Sequence, residues 1–220
     1  MENNHQALIL AGGQFPPKDF VLSQYENGCI VVAADRGAML AKEAGLTIDC
    51  LLGDFDSLPI KEFAEIKNCA KRVLSYPQDK DYSDLELALR FCADENCKSI
   101  KILAALGGDR LEHTLFNVIS ILEVADDLGL EAEICSPELS IFQMCHRQKI
   151  LSNRKGELIS IIALDREIIF TIEGTKWPLN HATLKRSSTR GLSNLIISPE
   201  VKLTSHEGRA LIVVSNLSNS

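Results

Sequence analysis

The feature that most constrains this sequence is the alternation of short apolar runs with helical patterns along its first 135 residues. The runs show little polar alternation, which is typical of parallel strands with both faces covered. Strands that alternate with helices require right-handed crossovers and therefore a parallel sheet. The predicted strands are Ala7–Ala11, Cys29–Ala33, Cys50–Leu52, Arg72–Ser75, Ile100–Ala104 and Ala132–Cys135, and the predicted helices are 36–45, 59–68, 83–96 and 110–128.

After about residue 137 the pattern changes to one strand after another, separated by turn signals such as Glu173-Gly174 and Glu207-Gly208. Short strands with frequent turns and no long helical pattern predict an antiparallel sandwich or a barrel-like module. We therefore expect two domains, an α/β domain at 1–137 and an all-β domain at 138–220. The predicted strands of the second domain are Ile141–Met144, Leu158–Ala163, Glu167–Ile172, Leu195–Ser198, Val201–Ser205 and Ala210–Val214.

Composition and charge exclude several classes of protein. Of the 220 residues, 45% are hydrophobic and 24% are charged, which argues against a disordered or fibrous chain. The formal charge of −7 leads us to expect no nucleic-acid partner, since such proteins normally carry a basic face. No apolar run reaches the roughly 20 residues of a membrane span, and the first residues lack a basic signal-peptide segment. We therefore expect no membrane partner. Seven cysteines without a Cys-x-x-Cys pair predict reduced thiols, so we expect a cytoplasmic protein.

Two of the predicted helices have distinct faces. Ser83 and Glu86 form a Ser-x-x-Glu capping box at the start of the third predicted helix. Its apolar stripe consists of Leu85, Ala88, Leu89 and Cys92. The fourth predicted helix carries one stripe of Leu111, Leu115, Val118, Leu122 and Ala125, and a second, polar face of Arg110, His113, Thr114 and Asn117.

Acidic residues follow three successive predicted strands. Asp35 comes after the second strand, Asp54 and Asp56 come after the third, and the aspartate-rich turn 78–84 follows the fourth. In an extended segment Asp54 and Asp56 point to the same side, where two carboxylates are costly to ionise together without a cation. Carboxyl ends of parallel strands meet at one sheet edge, and Mg²⁺ prefers carboxylates together with substrate phosphates. The simpler alternative is a set of solvated turns that only favour a helix dipole.

The segment Gly107-Gly108-Asp109-Arg110 connects the fifth predicted strand to the last helix of the first domain. Glycines let a backbone approach a ligand closely, a helix amino end attracts anions, and Arg110 can add a bidentate phosphate contact. His113 and Asn117 lie at helical spacing from Arg110. With the acidic turns, this predicts a Mg²⁺-dependent enzyme that acts on a nucleotide polyphosphate, because acidic clusters repel ATP unless divalent ions bridge them. These residues alone do not identify the acceptor.

Six motifs in a specific order and spacing run through nearly the whole chain. They are Ala34-Asp35-Arg36-Gly37-Ala38, Gly53-Asp54-Phe55-Asp56-Ser57, the segment 79–84, the segment 107–113, the segment 174–179 and Gly191-Leu192-Ser193-Asn194. With these motifs the sequence resembles the thiamine pyrophosphokinase family, whose members transfer the pyrophosphoryl group of ATP to the hydroxyl of thiamine. The resemblance implies thiamine diphosphate and AMP as products. It also implies a parallel-sheet α/β domain followed by an antiparallel β-sandwich, in a homodimer with active sites shared between subunits.

The resemblance further implies roles for individual residues. The implied Mg²⁺ ligands are Asp54, Asp56 and Asp84, which form the catalytic set together with Asp81. The implied contacts of ATP and its phosphates are Asp35, Lys80, Ser83, Gly107, Gly108 and Arg110. The implied contacts of thiamine or phosphate are Glu112, His113, Asn117, Trp177, Ser193 and Asn194. The α/β domain is thereby the ATP- and Mg²⁺-binding domain, and the sandwich is the thiamine-binding and dimerisation domain.

The sequence departs from the family pattern at Glu112, where relatives usually have Asp. The side chain keeps its carboxylate but is one methylene longer, which bears on the thiamine contact. Two alternative functions therefore stay open: a Mg²⁺/ATP diphosphokinase for another hydroxyalkyl heterocycle, and a non-catalytic thiamine-binding sensor. Trp177 also has a second interpretation, as a core residue of the sandwich. The expected mechanism is in-line attack of the thiamine hydroxyl on the β-phosphorus, with AMP as the leaving group.

Overall fold

The structure, a computed structural model, describes residues 5–56 and 60–215. Ser57 of the third-strand motif and the first residue of the predicted helix 59–68 therefore lie outside the described residues. The chain divides into two compact units, Met1–Pro137 and Glu138–Ser220. The predicted fold class, a parallel α/β sheet followed by an antiparallel β-sandwich, is confirmed. Within the described ranges, no helix has both the length and the apolar character needed to cross a membrane.

The first unit contains a parallel sheet with helical connections. In chain order its elements are β1 (His5–Leu10), α1 (Lys18–Gln24), β2 (Ile30–Ala34), α2 (Gly37–Ala44), β3 (Cys50–Gly53), α3 (Ile60–Cys69), β4 (Arg72–Ser75), α4 (Asp84–Asp94), β5 (Cys97–Leu103), α5 (Leu111–Phe116), a π-helical turn (Asn117–Ile121), α6 (Leu122–Asp127) and β6 (Glu131–Cys135). The strand order is β6-β5-β1-β2-β3-β4, and all neighbouring pairs are parallel. Strands β2, β3 and β4 are therefore neighbours, so the three acidic turns meet at one edge as predicted.

The helices of the first unit differ from the sequence prediction in two places. Helix α1 is missed by the apolar pattern because it has 7 residues and buries only Val21. The predicted helix 110–128 is interrupted by the π-helical turn, and the burial of its apolar stripe differs along its length. Leu122 is 2% exposed, whereas Leu111 is 69% and Leu115 is 51% exposed. The first half of this stripe therefore does not face the core of the described chain.

Helix α4 begins as the sequence predicts. Ser83 is its N-cap, and its hydroxyl accepts the Glu86 N–H at 3.2 Å. The second half of the capping box is not formed, because the Glu86 carboxylate instead pairs with Arg90 at 2.8 Å. The predicted stripe is buried against the sheet, with Ala88, Leu89 and Cys92 fully covered. The capped helix therefore fixes the turn that precedes it.

The second unit is an antiparallel sandwich of two layers. Its elements are β7 (Leu139–Cys145), β8 (Gln148–Ser152), β9 (Leu158–Ala163), β10 (Glu167–Glu173), β11 (Leu179–Lys185), β12 (Asn194–Leu195), β13 (Glu200–Glu207) and β14 (Arg209–Ser215). One layer has the order β12-β9-β14-β7 and the other the order β11-β10-β13-β8. Phe142 and Ile212 from the first layer share one core with Phe170 and Leu203 from the second. This shared core decides for a sandwich over a barrel-like module.

Three strands of the sandwich differ from the prediction. Strands β8 and β11 are missed because they lie at layer edges and keep much of their surface exposed. Strand β12 is shorter than the predicted Leu195–Ser198 and begins one residue earlier, at Asn194. Ile196 instead forms an isolated antiparallel bridge with Thr175. The chain after β12 is thus attached to the 174–177 turn.

A charged contact between Asp165 and Arg209 joins the turn before β10 to the start of β14. Asp165 Oδ2 accepts the Arg209 N–H at 2.8 Å, and Asp165 Oδ1 lies 2.7 Å from Arg209 Nη2. These hydrogen bonds to Arg209 lower the pKa of Asp165 below its ordinary value. The ionised form of Asp165 therefore stabilises the folded state.

We expect Asp165→Asn to lower the free energy of unfolding at neutral pH by about 1–2 kcal/mol, because charge-assisted hydrogen bonds become neutral ones. The folded-state pKa is the lower one, so the difference from wild type is complete above the ordinary Asp pKa of about 4 and disappears as the pH falls through the folded value. Urea denaturation at neutral pH and near pH 3 measures this. Glu167→Gln, at an exposed acid of β10, is the control. An equal loss at both pH values would contradict the assignment.

Candidate active site

Four aspartates and one lysine from the turns after β2, β3 and β4 form a group that we call the acidic cluster. Its members are Asp35, Asp54, Asp56, Lys80 and Asp84. Lys80 Nζ lies 2.9 Å from Asp84 Oδ1 and 3.9 Å from Asp54 Oδ2. Burial of Lys80 acts to lower its pKa, but the hydrogen bond and charge of Asp84 and the charges of Asp54 and Asp35 outweigh it, and the net pKa is raised. Lys80 is therefore a protonated cation inside the cluster.

The segment after β3 is a turn, so the prediction that it is extended is wrong. Phe55 has a φ of 62°, and its ring is 9% exposed and stacks on Phe63 with centroids 4.7 Å apart. Asp54 and Asp56 are nevertheless close, because the Asp56 N–H donates to Asp54 Oδ1 at 3.1 Å. Gln78 Nε2 donates to Asp56 Oδ2 at 2.9 Å and connects this turn to the next one. Burial of Phe55 therefore directs the two carboxylates to the sheet edge.

Gly53 at the end of β3 is required for the position of Asp35. Its φ is +141°, and a Cβ built there would lie 1.9 Å from Asp35 Oδ1. The same oxygen accepts the Phe55 N–H at 3.2 Å. The Asp35 carboxylate thus lies directly against the backbone of the neighbouring strand, in space that only glycine leaves open.

The carboxylates of the acidic cluster raise one another's pKa values. Burial, followed by the hydrogen bond and charge of Asp84, raises the pKa of Asp35 to about 7. The hydrogen bond and charge of Asp54 raise the pKa of Asp56. Asp84 Oδ1 is buried, and its partner is Lys80 Nζ at 2.9 Å. Such concentrated negative charge is what a divalent cation relieves.

The acidic cluster does not by itself form a closed metal site. Among the residues that the structure describes, no group of three or more His, Cys, Asp or Glu side chains is arranged to hold a metal ion. Asp35 contacts Asp84, Asp54 contacts Asp56, and Lys80 contacts one member of each pair. Mg²⁺ typically takes one or two carboxylates and completes its shell with water and substrate phosphates. The donor set fits that ion bound together with its substrate, and the predicted three-aspartate ligand set stays a prediction.

Two glycine-containing loops, after β1 and β5, lie at the same edge of the sheet. The Gly13 N–H donates to the Ala104 carbonyl at 2.7 Å. A Cβ at Gly13 would lie 2.6 Å from the carbonyl oxygens of Ala104 and Leu106. The strand order changes direction between β1 and β5, which is where open α/β sheets bind ligands. The sequence motifs do not include Gly12-Gly13. A glycine pair directly after the first predicted strand could have indicated this loop.

The helical segment after β5 holds the glycine loop in place. Asn117 Nδ2 donates to the Ala105 carbonyl at 2.8 Å, and Thr114 Oγ1 donates to the Gly107 carbonyl at 3.3 Å. Gly107 and Gly108 have φ values of +70° and +88°, which side-chain-bearing residues rarely adopt. Asn117 therefore shapes the loop, and its contact with a ligand stays a prediction.

The other predicted residues of the first unit lie outside the contacts of the acidic cluster. Arg110 Nε lies 2.8 Å from Glu112 Oε1, with both side chains 67% exposed, and this hydrogen bond lowers the pKa of Glu112. His113 and Asp81 are exposed. Ser83 is used as the cap of α4. The structure thus joins the aspartates that follow β2, β3 and β4, but it does not bring Arg110 or Asp81 to them.

In the second unit, Asn194 and Trp177 form one local arrangement. Asn194 is 8% exposed, whereas Trp177 is 56% exposed, so the interpretation of Trp177 as a core residue is wrong. Asn194 Oδ1 accepts the Trp177 N–H at 3.0 Å, and Asn194 Nδ2 donates to the Trp177 carbonyl at 2.6 Å. Ser193 is exposed with a φ of 55°, and its N–H donates to Ser160 Oγ at 3.0 Å.

Family models match both units of the chain. Residues 22–132 match the model "Thiamin pyrophosphokinase, catalytic domain", and residues 146–209 match "Thiamin pyrophosphokinase, vitamin B1 binding domain". The chain belongs to the thiamine pyrophosphokinase family. A curated relative is the thiamine pyrophosphokinase of Bacillus subtilis (strain 168), which is 28% identical over 194 residues, or 86% of this chain and 88% of that protein.

Solved structures of thiamine pyrophosphokinases share the fold. The Bacillus subtilis protein superimposes with a TM-score of 0.86 at 24% identity, over 96% of this chain and 99% of that chain. The Geobacillus thermodenitrificans protein gives a TM-score of 0.84 at 25% identity, over 97% and 99%. The Candida albicans protein gives a TM-score of 0.80 at 14% identity, over 96% and 89%. The fold that the resemblance implies is thus confirmed along almost the whole chain.

We expect Gly53→Ala to lower the free energy of unfolding by about 2–4 kcal/mol, because the added Cβ combines a positive φ with displacement of the Asp35 carboxylate. Gly28→Ala is the matched control: its φ is +90°, but nothing lies within 4 Å of the added Cβ. The control therefore carries backbone strain alone, about 1–2 kcal/mol. Urea denaturation measures both, and equal losses would contradict the packing of Asp35 against Gly53.

Proposed function

We propose that this chain transfers the pyrophosphoryl group of ATP to the hydroxyethyl oxygen of thiamine. The new bond joins that oxygen to the β-phosphorus, the bond between the β-phosphorus and the oxygen bridging to the α-phosphorus breaks, the hydroxyl proton is released and AMP leaves. The observation that carries the proposal is the acidic cluster at the carboxyl edge of the parallel sheet in a thiamine pyrophosphokinase family member. The products are thiamine diphosphate and AMP.

The first unit supplies the groups for the triphosphate. Asp54, Asp56 and Asp84 would hold Mg²⁺, which when bound neutralises charge on the bridging and leaving oxygens. Lys80 already balances part of the carboxylate charge, and it is close enough to Asp54 and Asp84 to contact a phosphate held beside them. The loops after β1 and β5 pack closely on each other at Gly13, where the strand order changes direction, and this is the proposed place for the polyphosphate. Catalysis by these groups consists of binding and alignment, without a covalent enzyme intermediate.

The second unit supplies the groups for thiamine, in the region that matches the vitamin B1 binding model. The Trp177 indole offers an exposed aromatic face, which suits a ligand with a cationic thiazolium ring. Ser193, directly before β12, adds an exposed residue with a hydroxyl group. The net charge of −7 also favours a cationic acceptor over an anionic one.

We also propose that the chain acts as a homodimer. The support is an exposed apolar patch on α5 and the π-helical turn, which consists of Leu111, Leu115, Phe116 and Ile119 at 69%, 51%, 42% and 45% exposure. Clustered large apolar side chains on a protein surface mark an interaction site. A second copy of this chain is the proposed occupant, since the thiamine pyrophosphokinase resemblance implies active sites shared between two subunits.

We further propose a cytoplasmic location. The described cysteines are all free thiols, and Cys50, Cys92, Cys97 and Cys135 are buried in the first unit. Burial raises the pKa of Cys50 to about 11, so this thiol stays protonated and unreactive. Unpaired thiols persist in a reducing compartment.

Incubation of the protein with ATP, Mg²⁺ and thiamine is expected to yield thiamine diphosphate and AMP, identified by mass spectrometry. Asp84→Asn and Asp56→Asn should each reduce turnover at least about 100-fold while circular dichroism stays unchanged, because each removes a charge that holds the metal. Asp79→Asn, at an exposed aspartate in the same turn as Lys80, is the matched control and should keep wild-type turnover. ADP as the product, or wild-type rates in both variants, would refute the assignment.

Leu115→Glu is expected to shift the protein from dimer to monomer in analytical ultracentrifugation, because the new charge cannot be buried in an apolar interface. Turnover should fall with dissociation if the sites are shared between subunits. Leu22→Glu, at a 39% exposed apolar residue of α1, is the control and should leave the sedimentation unchanged. A Leu115→Glu variant that remains dimeric would show that this patch is not the interface.

A further inference from the structure

Asn194 has little capacity left to bind a ligand. Its Nδ2 group donates both hydrogens, one to the Trp177 carbonyl at 2.6 Å and one to Thr175 Oγ1 at 3.1 Å. Its Oδ1 accepts the Trp177 N–H at 3.0 Å. A side-chain amide has two donor hydrogens, so no donor remains for thiamine. The side chain is also 8% exposed, which keeps it away from a ligand in solution.

The hydrogen bonds of Asn194 hold the backbone of Trp177, the one tryptophan of the chain. The Asn194 amide bonds to both the N–H and the carbonyl of Trp177, as a paired strand would do. The preceding residue, Lys176, donates its N–H to the Leu195 carbonyl at 2.8 Å, and Thr175 forms a bridge with Ile196. The backbone of the turn is therefore held while the indole stays 56% exposed.

The exposed indole already accepts a cation. Lys176 Nζ lies 4.8 Å from the centre of the Trp177 ring, which is the distance of a cation–π contact. An aromatic residue whose backbone is already held loses less conformational freedom when a ligand binds, so its contact contributes more to affinity. The arrangement suits a flat ring that carries positive charge, such as the thiazolium of thiamine.

Ser193 and Asn194 differ although they are adjacent in the motif. Ser193 is exposed, and its hydroxyl makes no hydrogen bond within the part of the chain that the structure describes. Asn194 is buried and engaged by three hydrogen bonds. Of the two neighbouring residues, only Ser193 has a side chain available to a ligand.

We propose that Asn194 is a positioning residue for thiamine recognition, one that orients the Trp177 indole and does not itself contact thiamine. This assignment rests on the proposed thiamine pyrophosphokinase activity. In this assignment Ser193 faces the ligand, whereas Asn194 acts through Trp177.

The test combines steady-state kinetics with the fluorescence of Trp177, which is free of other tryptophan signals. In Asn194→Ala we expect the KM for thiamine to rise about 10-fold, with kcat and the KM for ATP within twofold of wild type. The Trp177 emission maximum and its quenching by acrylamide should change in the absence of substrate. Asn194→Asp keeps the shape and one acceptor but removes the donor hydrogens, so it should give the same direction of change if Asn194→Ala does not fold. Asn180→Ala, at an exposed asparagine of β11, is the matched control and should change neither readout.

A double-mutant comparison decides whether Asn194 acts through Trp177. If it does, adding Asn194→Ala to Trp177→Ala raises the thiamine KM no further, whereas a direct contact makes the two effects multiply. Multiplied effects, or a raised thiamine KM with unchanged Trp177 fluorescence, would overturn the inference. An unchanged thiamine KM in Trp177→Ala, with AMP still formed, would overturn the inference alone. A wild-type protein that forms no AMP from ATP and thiamine would overturn the proposed function as well.

Discussion

Repulsion among carboxylates that are held close together is the constraint around which the first unit is arranged. Four aspartates share one edge of the sheet: burial and then Asp84 raise the pKa of Asp35, and Asp54 raises the pKa of Asp56. The fold lowers this cost with local partners: Lys80 contacts two of the carboxylates, and backbone N–H groups donate to Asp35 and Asp54. Because these partners do not balance all of the carboxylate charge, the cluster attracts further positive charge. A site for a metal ion and a nucleotide needs this property.

The parallel sheet makes this concentration of charge possible. Strands β2, β3 and β4 are neighbours, so the turns that follow Ala34, Gly53 and Ser75 lie at the same edge although they are distant along the chain. Close approach then depends on details at the strand ends, namely the missing side chain at Gly53 and the buried ring of Phe55. On the other side of β2, the strand order changes direction between β1 and β5, and the loops after these two strands pack against each other at Gly13. The aspartates and the glycine-containing loops are therefore distributed along one edge of the sheet.

Sequence patterns predict those parts of this molecule that depend on burial and on strand order. The apolar runs identify β1 to β6 because strands covered on both faces must be apolar throughout. Patterns fail where burial is slight, as in α1, β8 and β11, and where an apolar stripe is exposed, as at Leu111 and Leu115. A stripe that covers a partner surface and one that covers the protein's own core have the same spacing, so spacing alone cannot separate them.

In the candidate site, too, the sequence predicts which residues come together but not their local conformation. The order of the strands brings the aspartates together, but the spacing of residues predicts neither the positive φ of Phe55 nor the stacking of its ring on Phe63. In the second unit, Ser193 and Asn194 are consecutive residues of one motif, yet only the first has a side chain available to a ligand. A motif records that a residue type is required and not which atom requires it. At Asn194 the side-chain amide bonds to both the N–H and the carbonyl of Trp177, so its observed partners belong to the protein backbone.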